Sequence, residues 1–127
     1  MAAWTNDELT RIGDAEELEI APERRDGTLR NPVTIWVVRN GNDLYVRSVN
    51  GRDGAWFRAA EARHEGRISA GGVAKDVTFV DVDADDVNSA IDAAYRAKYH
   101  RYSAGIVNTT LTPQARAATL QLVPRSS

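Results

Sequence analysis

The sequence predicts a single α+β domain, with antiparallel strands curved into a small barrel and helices on its flank. Two β-rich runs, Thr34 to Arg39 and Leu44 to Ser48, flank Asn40-Gly41-Asn42-Asp43, and an Asn-Gly pair favours a tight hairpin turn. A second hairpin is predicted where Gly71-Gly72 separates two further strand-like runs. Strands joined by hairpins, with helical patterns between them, are typical of antiparallel α+β domains and small barrels.

The remaining elements are predicted from local patterns along the chain. A Thr-x-x-Glu pattern beginning at Thr5 indicates the start of a helix. Apolar and aromatic residues recur at helical spacing from Val87 to Tyr102, which predicts one long helix that begins near Asp83 and ends at Gly105. The C-terminal run from Leu122 to Ser127 (LVPRSS) resembles a protease-site remnant, but it continues a strand pattern and is interpreted as native. The other predicted elements are a helix over Trp4 to Ile12, a strand at Leu18 to Ile20, a helix through Trp56 to Arg63 capped by Asn50 or Asp53, a strand over Lys75 to Val82, a turn at Thr112-Pro113 and a strand over Ala117 to Val123.

Composition limits the possible functions. The 127 residues (1–127) have the size of one domain, and the absence of cysteine excludes disulfides, thiolate metal ligands and a cysteine nucleophile. The 16 basic and 18 acidic side chains give a formal charge of −2, which argues against a nucleic-acid-binding protein. No apolar run reaches the roughly 20 residues of a membrane helix, and the N-terminus lacks a signal-peptide pattern. We therefore expect a cytoplasmic protein.

The turn after the first strand carries three arginines, Arg24, Arg25 and Arg30. Guanidinium groups match the oxygens of phosphate and carboxylate in pairs, so these side chains could hold an anionic ligand. Glu23 and Asp26 lie beside them in the sequence and could instead neutralise them as weak surface ion pairs. On the residues alone, an anion site and an ordinary solvated turn both remain open.

The loop from Ser48 to Trp56 is the second candidate for a ligand site. It leads into a predicted helix, and the free N–H groups and the dipole at a helix N-terminus favour anions. Gly51 and Gly54 would let the backbone approach a ligand closely. The alternative is a hairpin-to-helix loop with ordinary caps.

Few other groups in the chain could carry chemistry. Tyr95, Tyr99 and Tyr102 form one stripe that suits core or dimer packing, although a tyrosine hydroxyl can donate a proton to a substrate. We therefore take Tyr95 and Tyr99 as the candidate catalytic residues. His64 and His100 have no second histidine at metal-ligand spacing, and the sequence contains no zinc or calcium motif. Any catalysis would then depend on a bound cofactor.

Together, the two candidate segments resemble a known pattern. Arg24-Arg25-Asp26-Gly27-x-x-Arg30-x-Pro32, two strands, Ser48-x-Asn50-Gly51 and Trp56-Phe57 are similar to the core motif of deazaflavin-dependent nitroreductases. Those proteins belong to the split β-barrel, flavin-binding class that also includes pyridoxamine-phosphate oxidases. The resemblance implies that the arginines contact the cofactor's phosphate and that the later segments line its ring or ribityl chain. The implied cofactor-binding residues are Arg24, Arg25, Arg30, Ser48, Asn50, Gly51 and Trp56.

Over nearly its whole length, the chain is similar to the bacterial domain-of-unknown-function family 2255. The resemblance rests on five short segments. These are Thr34 to Arg39 (TIWVVR), Tyr45 to Ser48 (YVRS), Trp56 to Ala59 (WFRA), Ala70 to Val73 (AGGV) and Ala94 to Tyr99 (AYRAKY).

The two resemblances imply a split β-barrel of the FMN-binding type that forms a homodimer. They imply a flavin- or deazaflavin-dependent oxidoreductase, in which FMN or a deazaflavin passes a hydride to a small electrophile. The alternative is a non-catalytic split-barrel domain that binds a small molecule or a partner and has lost the cofactor. Glu23 and Asp26 favour this alternative, because the nitroreductases have glycine and serine at those positions. We expect no metal, nucleic acid or membrane as a partner.

Overall fold

Seven strands form one antiparallel sheet in the computed structural model, which describes residues 3–125. Their order across the sheet is β2-β1-β5-β6-β7-β4-β3, so the last strand in the sequence lies between two earlier hairpins. The strands are β1 (Leu18–Pro22), β2 (Val33–Ile35), β3 (Val38–Asn40), β4 (Asp43–Arg47), β5 (Glu65–Ala70), β6 (Val73–Asp81) and β7 (Thr119–Pro124).

The sheet is curled into a barrel, as its connectivity requires. β2 and β3 stand at opposite ends of the strand order, yet only Trp36 and Val37 separate them in the chain. Neighbouring strands lie about 4.8 Å apart, so a flat sheet of this size would place its edges roughly 29 Å apart. The three residue steps from Ile35 to Val38 span no more than about 11 Å. The two edges therefore meet at Trp36 and Val37, which confirms the predicted small barrel.

This crossing corrects one expectation from the sequence. Thr34 to Arg39 was expected to form a single strand, but the structure breaks it at Trp36 and Val37. The prediction of one strand was wrong because the two halves pair with different neighbours: β2 pairs with β1, and β3 pairs with β4. The predicted hairpin between β3 and β4 is confirmed, and Gly41 has the positive φ of 63° that this turn needs.

Within residues 3–125, five helices lie against the barrel. They are α1 (Asn6–Asp14), α2 (Ala55–Arg63), α3 (Asp85–Lys98), α4 (Ala104–Asn108) and α5 (Pro113–Arg116), and a 3-10 turn lies at Gly51–Asp53. The capping box predicted for the first helix is present, because Thr5 and Glu8 exchange side-chain and backbone hydrogen bonds.

Several predicted helix boundaries were wrong. α3 ends at Lys98 with Tyr99 as its cap, and Gly105 lies inside α4 rather than at the end of one long helix. The N-cap of α2 is Gly54, while Asn50 and Asp53 belong to the preceding loop and 3-10 turn. The Thr112-Pro113 turn is the start of α5, since Thr112 caps that helix, and the last strand starts at Thr119 instead of Ala117.

The core has two parts, one on each side of β4. In the first part, buried side chains of α1 and α2 pack against the inward-facing side chains of the strands. On the outside, α3 covers β3 and β4, and its buried side chains Ile91, Tyr95 and Tyr99 confirm the predicted stripe. Leu44 and Val46 of β4 belong to the first cluster and Tyr45 to the second, so this strand is covered on both faces.

Some expectations concern the chain termini, partners or metals. Of the C-terminal run LVPRSS, Leu122 to Pro124 lie in β7, whereas Ser126 and Ser127 lie outside the described residues. Within residues 3–125, no helix is long and apolar enough to cross a membrane. The same residues contain no group of three or more His, Cys, Asp or Glu side chains arranged to hold a metal ion.

Candidate functional site

A cavity of about 220 Å³ opens beside the crossing between β2 and β3. The end of β4, the first turn of α2, the middle of α3, and α4 with the residues after it complete its wall. Most of the side chains that line it are apolar or aromatic, which suits a flat organic ring. The lining residues are Thr34, Ile35, Trp36, Arg47, Val49, Trp56, Tyr95, Ile106, Thr109 and Thr110.

Trp36 gives this cavity a fixed aromatic wall. Its indole stacks on the Tyr99 ring, with centroids 3.8 Å apart and planes 3° from parallel. The Tyr99 hydroxyl is itself held in place, because it donates to the carbonyl of Glu16 at 2.8 Å. The wall therefore keeps its position without help from a ligand.

The backbone at the crossing is fastened from α3. Lys98 Nζ donates to the carbonyl of Val37 at 2.6 Å, and the same carbonyl lies 3.1 Å from the Tyr99 hydroxyl, whose single proton it shares with the Glu16 carbonyl. Burial lowers the pKa of Lys98 to about 8, and burial raises the pKa of Tyr99 well above its usual range. Tyr99 is thus used inside the fold, and it is not among the residues that line the cavity.

Tyr95 also borders the cavity, and the proton of its hydroxyl has no acceptor inside the fold. The side chain is completely buried, and Oη has no hydrogen-bond partner among the described residues. Burial raises the pKa of the Tyr95 phenol far above its usual range, and the neighbouring charge of Arg47 offsets this only in part. Because the phenol keeps its proton, it can serve as a neutral hydrogen-bond donor.

Arg47 lines the cavity, yet all five of its N–H groups are already used. Nε donates to Thr119 Oγ1 at 2.9 Å, and the two Nη2 bonds go to the carbonyl and Oδ1 of Asn88 at 3.1 and 3.0 Å. Nη1 donates to Asp92 Oδ1 at 2.5 Å and to the carbonyl of Thr110 at 2.9 Å. With five donors in total, the guanidinium has none left for a ligand and acts as a structural link.

The basic turn does not gather its three arginines at one point. Arg24 Nη1 donates to the carbonyl of Leu29 at 2.8 Å, and the Arg25 carbonyl accepts a bond from Arg63 Nη1 at 2.6 Å. Both Arg24 and Arg25 have exposed side chains, and neither lines the cavity. Arg30, in contrast, lies against α2.

The acids beside the turn do not pair with its arginines. Glu23 instead forms ion pairs with Arg63 at 3.6 Å and with Arg125 at 3.0 Å. Asp26 accepts hydrogen bonds from the backbone and side chain of Thr28 at 3.0 and 2.7 Å. These bonds from Thr28 lower the pKa of Asp26. Neither acid therefore neutralises Arg30.

Arg30 borders a shallow groove along α2 that we call the arginine groove. It has a volume of about 350 Å³ and is lined by Arg30, Ala55, Arg58, Ala59 and Ala62. The N-cap residue of α2, Gly54, has no side chain to accept from the first N–H groups of the helix, which leaves them available. Since Ala55 lines the groove and Trp56 lines the cavity, the two spaces flank the same helical turn.

The other predicted ligand residues shape the loop before α2. Gly51 has a φ of 74°, and a Cβ there would lie 2.3 Å from Gln114 Cγ. The absence of a side chain at Gly51 therefore lets α5 pack closely against this loop. The Asn50 carbonyl accepts a bond from Gln114 Nε2 at 2.8 Å. Ser48 is buried, and a Cβ on Gly54 would lie 2.5 Å from its hydroxyl oxygen. None of these residues lines the cavity, whereas Trp56 does.

Comparison with known proteins identifies the family of this chain. A sequence profile described as "Uncharacterized protein conserved in bacteria (DUF2255)" matches residues 8–122. The chain belongs to the DUF2255 family. No curated protein is similar enough to this DUF2255 chain to count as a match.

Several solved structures share the fold of this DUF2255 domain. The heme storage protein HutZ from Vibrio cholerae is 13% identical with a TM-score of 0.63, and the match covers 96% of this chain and 91% of that one. An FAD-binding protein from Mesorhizobium loti is 14% identical with a TM-score of 0.62, covering 98% and 93%. An F420 reductase is 16% identical with a TM-score of 0.55, covering 94% and 92%. These likenesses confirm the split β-barrel fold of the DUF2255 domain.

Proposed function

We propose that this protein binds a reduced deazaflavin or FMN and is an oxidoreductase that acts on a small electrophile. The observation that carries the proposal is the pairing of an aromatic cavity with a basic groove on the two sides of one helical turn. A flavin-type cofactor combines a flat ring with an anionic phosphate, so it needs these two environments side by side. The fold is also that of proteins named as binding F420, FAD or heme.

The side chains present fit such a cofactor in both parts. Trp36 and Trp56 would hold the ring in the cavity, and the free N–H groups at the start of α2 would hold the phosphate together with Arg30 and Arg58. When bound and reduced, the cofactor supplies a hydride. We assign the phosphate contact to Arg30 and Arg58 rather than to Arg24, whose guanidinium bonds within its own turn.

What the chain contributes to the reaction is position and exclusion of water. The stack of Trp36 on Tyr99 fixes one wall before anything binds, which lowers the entropy lost on binding. Val49 and Ile106, which are 48% and 50% exposed, stand at the cavity and would be covered by a bound ring and its substrate. No titratable side chain other than Arg47 and Tyr95 lines the cavity within residues 3–125.

We further propose that the protein is a cytoplasmic homodimer that pairs through the barrel. Val80 on β6 follows the buried Phe79, so it points outward, and it is 41% exposed on a strand in the middle of the sheet. A second copy would cover it. Sedimentation equilibrium should give twice the mass of the chain, and a single-chain mass at high micromolar protein would contradict pairing.

The alternative is a non-catalytic binding domain that keeps the barrel without the cofactor. Its specific support is that Arg24 and Arg25 do not reach the cavity, so the phosphate site would rest on Arg30 and Arg58 alone. In this case the cavity would still take a small molecule, but the groove would contribute nothing to its affinity.

A ligand titration separates the two functions. The purified protein is checked for bound chromophore and then titrated with FMN and with a deazaflavin while tryptophan and ligand fluorescence are followed. Arg30→Ala removes a charge-assisted contact worth about 1.5–3 kcal/mol, so we expect roughly ten- to a hundredfold weaker binding. Arg11→Ala is the control, because Arg11 lines neither space and pairs with Asp7 on α1 at 2.8 Å. Absence of binding at high micromolar ligand would overturn the cofactor proposal.

A further inference from the structure

The Tyr95 hydroxyl stands apart from the other buried polar atoms. Three such atoms lack a hydrogen bond among the described residues: Glu61 Oε2, Tyr95 Oη and Arg116 Nε. Glu61 Oε2 lies 3.4 Å from His64 Nδ1, and Arg116 Nε lies 3.3 Å from a carboxylate oxygen of Asp92, so both have ionic neighbours. Tyr95 Oη has the backbone N–H of Arg47 as a neighbouring donor, but the hydroxyl proton has no acceptor among the described residues, and Tyr95 belongs to the cavity wall.

No acceptor among the described residues takes the proton of the Tyr95 hydroxyl. Its ring packs between Ile91 and Tyr99 in the second core cluster, and a phenylalanine ring would fill the same space. A buried hydroxyl without a partner lowers stability, because it has given up its bonds to water. Tyr99, one helical turn later, shows the opposite case, since its hydroxyl accepts from the Val37 N–H and has the carbonyls of Glu16 and Val37 as acceptors for its single proton. The hydroxyl of Tyr95 therefore lowers the stability of the ligand-free protein.

We propose that Tyr95 Oη donates a hydrogen bond to the occupant of the cavity, and that this occupant is a flat, uncharged ring with an acceptor on its edge. A carbonyl oxygen or a ring nitrogen would satisfy the hydroxyl. Tyr95 is one of the residues that line the cavity, so an occupant of the cavity lies next to this side chain. The inference rests on the proposed function in one respect, which is that the ring belongs to a flavin or deazaflavin.

The requirement for an uncharged ring follows from Arg47. It is the one charged side chain on the cavity wall as far as residues 3–125 are concerned, and its five donors are all used within the fold. A charged group in the cavity would find no free counter-ion there, and a buried charge without a partner is strongly unfavourable. Trp36 and Trp56 then favour a flat ring, because aromatic rings bind best to other planar surfaces. Any anionic part of the ligand belongs in the arginine groove.

The test compares Tyr95→Phe with the wild-type protein, using two small probes of similar shape. 2-Quinolone carries a carbonyl acceptor, whereas 2-methylnaphthalene has none, and lumiflavin adds the complete flavin ring without a phosphate. Quenching of tryptophan fluorescence reports binding, because Trp36 and Trp56 line the cavity. In Tyr95→Phe we expect about three- to tenfold weaker binding of 2-quinolone and lumiflavin, and unchanged binding of 2-methylnaphthalene.

Stability gives a second and independent readout. Tyr95→Phe should raise the melting temperature of the ligand-free protein, because it removes an unsatisfied hydroxyl. Tyr99→Phe is the matched control in the same helix and should lower the melting temperature, since it breaks bonds that hold Val37 and Glu16.

The outcomes separate this inference from the proposed function. If Tyr95→Phe binds 2-quinolone as tightly as the wild type, or if neither protein binds it, the donor assignment is wrong. A lower melting temperature in Tyr95→Phe would also overturn it, because the hydroxyl would then be used inside the fold. If 2-quinolone binding depends on Tyr95 while lumiflavin and FMN do not bind, the donor assignment stands and the cofactor proposal fails.

Discussion

Arg47 illustrates how one buried side chain can join separate parts of a small domain. It starts on β4 and reaches α3 through Asn88 and Asp92, β7 through Thr119, and the loop before α5 through Thr110. Its position at the end of a strand, between Val46 and Ser48, gave no indication of these partners. They come from three segments more than forty residues away in the chain.

The first prediction concerns this residue. Arg47→Lys keeps the charge, but lysine has three donors in place of five and cannot serve the same acceptors. We expect the free energy of unfolding to fall by about 1–3 kcal/mol, because buried carbonyl and amide oxygens lose their bonds. Urea unfolding followed by tryptophan fluorescence measures the change. Arg96→Lys, at an exposed position on the same α3, is the control and should leave the unfolding midpoint unchanged.

The site residues expected from the sequence stay a prediction, and the structure shows only where they lie. Trp56 lines the cavity, and Arg30 borders the arginine groove along α2. The sequence missed Trp36 in the wall, because the side to which that residue points depends on where the strand breaks. Arg58 could have been selected from the sequence. A cation near the start of a helix is unfavourable for the helix dipole, and a bound anion would offset this.

Among the elements, β5 depends on a glycine at its tightest point. Gly66 pairs with Pro22 on one side and Val77 on the other. A Cβ at this position would lie 2.6 Å from the Ala21 carbonyl oxygen and 2.9 Å from Phe79 Cζ. The glycine therefore lets β1 and the core ring approach the strand closely where the sheet curves.

The second prediction is that Gly66→Ala destabilises the domain. The added methyl group meets backbone that cannot move freely, and overpacking of this kind costs about 1–3 kcal/mol. Gly105→Ala is the matched control, because a Cβ on Gly105 would meet nothing within 4 Å and the residue lies within α4. There we expect a gain of up to about 1 kcal/mol. Thermal unfolding by circular dichroism compares the two variants, and a stable Gly66→Ala would show that β1 and β5 can separate at little cost.

The elements themselves were predicted with uneven success, for local physical reasons. The hairpin at Asn40-Gly41 and the capping box at Thr5 are set by a few adjacent residues, so the sequence was sufficient. The break at Trp36 and Val37 is not local, since it follows from pairing with strands at opposite edges. The end of α3 was missed because the aromatic stripe continues past Lys98 into Tyr99 and Tyr102 after the helix has stopped.

For the whole molecule, the decisive feature is the place of β7. It pairs with β6 on one side and β4 on the other, and so joins the two halves of the sheet. Without it, the halves β2-β1-β5-β6 and β4-β3 would share no ladder. The barrel topology was predicted from the α+β pattern, but this order was not, because strand order depends on contacts between distant parts of the chain.

The third prediction tests this dependence. Gln121 pairs with Tyr45 of β4 and with Val80 of β6, and proline there removes an N–H from the middle of the sheet. We expect Gln121→Pro to unfold the entire domain at room temperature, with loss of the near-ultraviolet circular dichroism of the tryptophans. Gln121→Ala keeps the N–H and gives up only the side-chain bond to Asp43, so it should remain folded. Loss of α3 alone in the proline variant would mean that the halves fold separately.

The central position of β7 also has a consequence for the chain as it is made on the ribosome. Until residues 119–124 have left the exit tunnel, β4 and β6 each present an open ladder with no neighbour. Such exposed ladders are templates for aggregation, and chaperones are the usual protection for them. Trp4, near the start of the chain, also lacks its hydrogen-bond acceptor until β7 is made, because its indole N–H donates to the Leu122 carbonyl at 2.8 Å. The nascent protein therefore completes its barrel only after β7 has emerged from the ribosome.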